Sequence, residues 1–359
     1  MGVVRAPTAV DLFSGAGGTT QGLRDAGFEV LAAIENDPSS VDTFVANHPA
    51  TLVVDRDIQR VQAPAFARRL GLSDERRLDI LTACPPCQPF STLGSGDAND
   101  PRNALVSVLK RFIVALRPRA VILENVPGLR NEPRFRQLLR AIGDCYDVRE
   151  YVVQAAGFGV PQSRRRMIVL CVERDIGTKL PDDLLDALPD DFDRATKTAG
   201  DAIALAENLS EDEDPVHRAR SRQPKTLKRI KAVKPGEGRL HLPARLRLEC
   251  HKELKQRNAT SIYGRIDPAL PAPTMTTRCT TPSCGRFIHP TEHRGLTLRE
   301  AALLQSFPVT YSFCGTYGEI ECQIGNAVPP KLSEALGLIV AGLLDLPTVV
   351  ADAARAQAA

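Results

Sequence analysis

The stretch from Thr8 to Gly18, TAVDLFSGAGG, decides the fold. An apolar run with strand character ends at Leu12, turns through Gly15, Gly17 and Gly18, and opens a helical segment from Gly17 to Ala26 that Gly27 stops. Glycines at this turn permit tight curvature and a close approach of the backbone by a ligand. Working outward, FEVLAAI, TLVV, LDILTA, AVILENV, VREYVV and MIVLCV read as further strands, and Asn103 to Arg117 as a helix halted by Pro118. Strands alternating with helices predict a doubly wound, mostly parallel α/β sheet with its ligands at the carboxyl ends of the strands.

After Val172 the alternation fails and prolines and glycines become frequent. Residues 1–174 are therefore expected to form a first domain and 175–310 a smaller, irregular one, with 205–225 its most mobile part. The apolar helical period of LSEALGLIVAGLLDL, from Leu332, predicts that 311–350 returns to the first domain, leaving 351–359 as a frayed tail. The formal charge of the 359 residues is only +3, but it is segregated. Fourteen acidic and four basic side chains lie in 173–214, and fourteen basic and three acidic in 218–257. The basic block suits a polyanion, although a solvated face balanced by its acidic neighbour fits as well. No uncharged apolar run approaches the ~18–20 residues of a membrane span, and no signal peptide is evident, so a cytoplasmic chain with reduced thiols is expected.

Several motifs stand at predicted strand ends. Twenty residues after Gly15, Glu35 can accept both hydroxyls of a ribose, whereas Thr20 replaces the last glycine of a dinucleotide fingerprint. A ribose-bearing ligand without a pyrophosphate fits better. In Cys84-Pro85-Pro86-Cys87-Gln88, Cys87 is placed as an exposed nucleophile. A buried thiol, a redox Cys-x-x-Cys and a zinc site shared with Cys279 and Cys284 compete with that reading. Glu124, in Glu124-Asn125-Val126-Pro127-Gly128, presents a carboxyl group at the same sheet edge, suited to hold and donate a proton or merely to cap a helix. In QSRRR, strand alternation sends Arg164 and Arg166 to one side and Arg165 to the other.

In this order, DLFSGAGG, PPCQPFS, ENVPGL, QSRRR, RGLTLREAALLQSFP and QIGNAVPP resemble the C5-cytosine DNA methyltransferases. The resemblance covers residues 8 to about 172 and 262 to about 340. It implies the S-adenosylmethionine-dependent methyltransferase fold, a DNA-recognition role for 175–310, duplex DNA as substrate and, in a restriction-modification system, a cognate endonuclease as partner. Phe13 would then stack on the adenine of the cofactor, Glu35 hold its ribose, Asp57 contact the adenine amino group and Asn326 help close the pocket. Asp11, Ser14, Gly15, Gly17, Gly18, Asn36, Ile58, Pro86 and Val328 would complete it. Cys87 would be the nucleophile, Glu124 the acid, and Arg164 and Arg166 the groups that orient the base; no metal is implied. Ala327 departs from the serine many members carry in that loop.

The implied chemistry accounts for the residue types. C5 of cytosine is a poor nucleophile until a thiolate adds to C6 while an acid shares a proton with N3. The base must leave the stacked duplex for this to happen. An RNA cytosine-5 methyltransferase, a catalytically silent DNA-binding regulator and an amino-group methyltransferase are the competing readings. The long basic insert disfavours the first, and the intact Cys87 disfavours the other two.

Overall fold

The computed structural model describes residues 5–73, 76–86, 104–249 and 259–347. The strands are β1 (Thr8–Leu12), β2 (Glu29–Glu35), β3 (Leu52–Asp55), β4 (Ile80–Ala83), β5 (Ala120–Asn125), β6 (Tyr146–Gln154), β7 (Gln162–Ser163), β8 (Arg165–Glu173) and β9 (Ala272–Pro273). The helices are α1 (Gly18–Asp25), α2 (Pro38–Asn47), α3 (Ala63–Arg69), α4 (Ala104–Leu116), α5 (Pro133–Ile142), α6 (Ala199–Ala204), α7 (Pro224–Lys231), α8 (Leu298–Leu304), α9 (Tyr317–Asn326) and α10 (Pro330–Leu343). They fall into two compact units. One comprises Met1–Gln154, Arg165–Asp193 and Val328–Ala359, the other Ala155–Arg164 and Arg194–Ala327.

In the first unit all seven strands read from the sequence pair into one sheet, in the order β3-β2-β1-β4-β5-β8-β6. The pairs from β3 to β5 are parallel, whereas β8 runs antiparallel to both β5 and β6. The order reverses between β1 and β4, which places the ligand-binding crevice of such a sheet at the ends of these two strands. β1, β4 and β5 are buried along their whole length, as near-continuous apolar runs covered on both faces must be. One face carries a core in which Phe66 meets Phe112 edge-on, at 6.0 Å between ring centroids. On α1, Gly22 admits the backbone of α10, because a Cβ there would lie 2.1 Å from the Pro330 carbonyl oxygen. Gly27 at φ +90° ends α1 as its position predicts, and Arg117, at φ +45° before Pro118, follows α4.

The boundaries differ from the sequence expectation. Residues 175–193 stay with the first unit because Leu180, Leu184, Leu188 and Phe192 are buried there. Tyr151 Oη donates to the Pro181 carbonyl, and Lys331 lies 4.4 Å over the Phe192 ring. Conversely, 155–164 and 311–327 join the second unit: β7 of the former pairs with β9, and Tyr311, Ile320 and Ile324 of the latter sit in the unit's apolar core. Within that unit the 205–225 stretch is fastened by the Asp214–Arg299 ion pair and by His217 Nδ1, 3.1 Å from Thr297 Oγ1. The tail 351–359 lies outside the described residues. Among the described residues no helix is long and apolar enough to cross a membrane.

Candidate active site and cofactor cradle

At the end of β1 the chain enters the left-handed region three times, at Phe13 (φ +59°), Gly15 (+53°) and Gly17 (+90°). Glu35, closing β2, fastens this turn. Its Oε2 accepts from Gly15 N at 2.8 Å, and its Oε1 from Asn36 N at 2.8 Å and Asp37 N at 2.9 Å. Oε2, with one donor, keeps a second lone pair for a ligand hydroxyl. Asp57 caps the short turn of Ile58–Arg60, accepting from Gln59 N at 2.9 Å, while Ile58 is buried beneath it and Phe13 packs half-buried against the core.

Two observations show that this turn suits a polar, close-fitting ligand. Among the described residues, Ser14 Oγ is buried without a hydrogen-bond partner, and nothing lies within 4 Å of where a Gly15 Cβ would stand. Below the turn, Asp11 is fully buried and accepts from Thr20 Oγ1 at 2.8 Å and Thr82 Oγ1 at 3.0 Å. Burial pushes its carboxyl up to about 7 despite the two hydroxyls, with the Glu35 charge adding to the rise. His48, buried beside Arg24, is pushed down to about 4 by burial and then by that guanidinium.

Glu124 is the penultimate residue of β5 and is 6% exposed. Arg166 Nε lies 2.8 Å from its Oε1, and Cys84 Sγ donates to its Oε2 at 2.8 Å. The next residue, Asn125, donates from Nδ2 to the Pro85 carbonyl at 2.8 Å, so the Cys84-Pro85-Pro86 turn is tied to the end of β5. A cavity of about 20 Å³ adjoins the pair, lined in part by Thr19, Thr82, Cys84, Glu124 and Val328. Cys87 lies outside the described residues. Of the other thiols, Cys171 is pushed up to about 12 by burial and Cys279 is raised by burial and the nearby Glu321 charge, which leaves both inert as nucleophiles. Cys284 is exposed, and among the described residues no three His, Cys, Asp or Glu side chains come together to hold a metal ion.

The structure corrects one pairing and adds contacts that the sequence did not show. Arg164 does not share a face with Arg166. It sits between β7 and β8, where alternation breaks, and donates to the carbonyls of Met275 at 3.1 Å and Ala327 at 3.0 Å. That makes it a staple of the second unit, while Arg166 serves Glu124 in the first. The GNAV motif is likewise divided: Asn326 is exposed at the end of α9 in the second unit, and Val328 is buried in the first. Cys84, Asn125 and Thr82 meet partners 40, 40 and 71 residues away, Glu124, Pro85 and Asp11, and Thr20 bonds the same Asp11 nine residues before it.

Comparison with known proteins agrees with this geometry. Residues 8–339 match the family model described as C-5 cytosine-specific DNA methylase. The chain is 34% identical over 351 residues to the type II methylase M.HgiDII of Herpetosiphon aurantiacus, covering 94% of this chain and 95% of that one. It is 32% identical to the type II methyltransferase M1.HphI of Haemophilus parahaemolyticus, covering 92% and 85%. Among solved structures, Dnmt2 methyltransferase of S. pombe shares the fold with a TM-score of 0.65 at 17% identity, covering 95% of this chain and 99% of that one. With strand-end glycines, a buried glutamate and six motifs in one order, the chain belongs to the C-5 cytosine-specific DNA methylases.

Proposed function

We propose that this DNA (cytosine-5) methyltransferase works through a covalent bond between Cys87 and C6 of a cytosine swung out of duplex DNA. The observation that carries the reading is Glu124, buried near the end of β5 between the Arg166 guanidinium and the thiol of Cys84, a residue three positions before Cys87 in the sequence. Members of the family use S-adenosylmethionine, which supplies an electrophilic methyl group. Phe13, Glu35 and Asp57 are the residues we assign to hold it, with Ser14 Oγ as an unsatisfied donor at the same turn.

The chain's own residues then account for the rest. The Cys87 thiolate adds to C6, forming a C–S bond, while Glu124 gives a proton to N3; the electron pair placed on C5 forms the new carbon–methyl bond. Loss of the C5 proton expels the thiolate, N3 returns its proton to Glu124, and the aromatic ring is restored. Arg166 keeps the Glu124 carboxyl in place, and Asn125 holds the Pro85 carbonyl. Taking the base out of the stack costs a few kcal/mol, offset by contacts to the backbone of the DNA.

We assign those contacts to the second unit. In α7, Lys225, Lys228 and Lys231 recur every third residue and are exposed, as is Lys234 just beyond. A face of four ammonium groups matches a phosphate backbone and gives affinity without base specificity. The type II relatives support a cytoplasmic place beside the DNA, in a restriction-modification system where methylation shields sites from a cognate endonuclease.

The test is a duplex in which cytosines carry fluorine at C5, because fluorine cannot leave as a cation and the adduct cannot resolve. Incubation with S-adenosylmethionine should give a protein–DNA band that survives denaturation. It should vanish in Cys87→Ser and persist in Cys84→Ser. An adduct in Cys87→Ser refutes the mechanism.

A further inference from the structure

The reaction as assigned leaves one well-placed group without a task. Cys84 follows β4, whose Ala83 pairs with Leu123 in the parallel register, so Cys84 comes level with Glu124 on the neighbouring strand. Its amide donates to the Leu12 carbonyl at 3.4 Å, and the next carbonyl accepts from Asn125. The backbone on either side is therefore fixed, and the thiol points at Glu124 Oε2 from a rigid base.

Beside the pair lies the cavity of about 20 Å³, room for one water molecule. A carboxyl group has a broad, two-fold terminal torsion, and a neighbouring void gives it somewhere to turn. Arg166 Nε meets one oxygen as an ion pair at 2.8 Å, and that oxygen accepts no hydrogen bond among the described residues, which leaves rotation about that contact open. The second oxygen is held by the thiol. A thiol is a weak donor, so it can orient a carboxyl group without competing strongly for the proton that Glu124 exchanges with the base.

We propose that Cys84 is a positioning residue for catalysis: its thiol sets the plane of the Glu124 carboxyl before the cytosine arrives. This rests on the assignment of Glu124 as the acid. The expected signature is a loss in kcat, because ordering the acid helps only when the proton moves, with little change in KM for either substrate.

The experiment measures tritium transfer from labelled S-adenosylmethionine to unmethylated phage genomic DNA, long enough to hold any short recognition sequence. Cys84→Ala should lower kcat about tenfold with both KM values within about twofold, and Cys84→Ser, whose hydroxyl can donate to the same oxygen, should recover most of the loss. In a Glu124→Gln background, Cys84→Ala should cost less than about twofold, since the two residues act as one unit. Independently of the Cys84→Ala kinetics, the S–H stretching band assigned by difference against Cys84→Ser should move to higher frequency in Glu124→Ala. A wild-type kcat in Cys84→Ala, an equal loss in the serine variant, a loss confined to KM or an unmoved S–H band overturns the inference. Cys87→Ser and Glu124→Gln run alongside: if either is as active as wild type, the assignment beneath it fails, and if both are impaired while Cys84→Ala is not, only the role of Cys84 falls.

Discussion

The two units satisfy their backbones by opposite means. In the first, carbonyls find partners in a seven-stranded sheet and in helices, so among the described residues its interior holds no buried arginine. In the second, the strands are two residues long and the turns irregular, and the carbonyls they leave are collected by arginines. The arginines buried among the described residues are Arg164, Arg239, Arg265 and Arg299, all in that unit. Arg265 alone donates to the carbonyls of Ile230, Val233, His289 and Glu292. A guanidinium has five donors in a fixed fork and no acceptor, which suits it to gather carbonyls as an ammonium cannot. The difference teaches how to read the basic block. Arg222, Arg229, Arg239 and Arg247 donate to carbonyls of Thr280, Leu246, Ala259 and Leu242, so they build the fold, and the exposed lysines are the part of the block that we assign to a polyanion.

The sharpest way to break this contrast is Arg265→Met. Leaving several buried carbonyls without donors should cost about 5 kcal/mol, melting the second unit while the sheet of the first survives. Calorimetry resolving two transitions, with only one displaced, is the expected record; a single unchanged transition would refute the distinction.

Asp11 probes the first unit, where a buried carboxyl group has hydroxyl partners, unlike Glu300 of the second, which meets Arg294. Its folded pKa of about 7 stands above the ordinary 3.8, so its contribution is fully present below pH 3.8 and is lost as pH rises through 7. The loss amounts to ~4 kcal/mol at most. Asp11→Asn should therefore gain stability over wild type at pH 8 relative to pH 5 in denaturant titrations, and parallel pH profiles would contradict the shift.

A smaller effect is expected from Glu35→Ala. Removing the acceptor of a ribose hydroxyl pair should weaken S-adenosylmethionine binding by ~1–3 kcal/mol in calorimetry, with DNA affinity retained. The smallest effects concern the lysines. Changing Lys225, Lys228 and Lys231 to Gln should weaken binding equally for all DNA sequences and flatten the slope of log affinity against log salt by about 0.9 for each lysine engaged. An unchanged slope would return the lysine face to the solvent.

Much of this was legible beforehand where the cause is local. Strand periodicity found all seven strands of the sheet, and Gly27 and Pro118 marked the ends of their helices because backbone dihedral limits act within a few residues. The placing of Glu124 at a strand end followed from the same signal. The split of 175–193 from the residues after it did not, because Leu184, Leu188 and Phe192 look like scattered apolar residues among aspartates until the surface that buries them exists.

By itself, then, the sequence determined the alternation of strand and helix, the turn glycines and the order of the motifs, all of which rest on short-range sterics and periodicity. Tertiary structure alone decided that Arg164 staples carbonyls while Arg166 serves Glu124, that the Cys84 thiol meets the same carboxyl group, and that Asp11 is enclosed with Thr20 and Thr82. Guanidinium and thiol groups can serve many acceptors, and which one they meet depends on the polar atoms that distant parts of the chain bring beside them and leave unpaired.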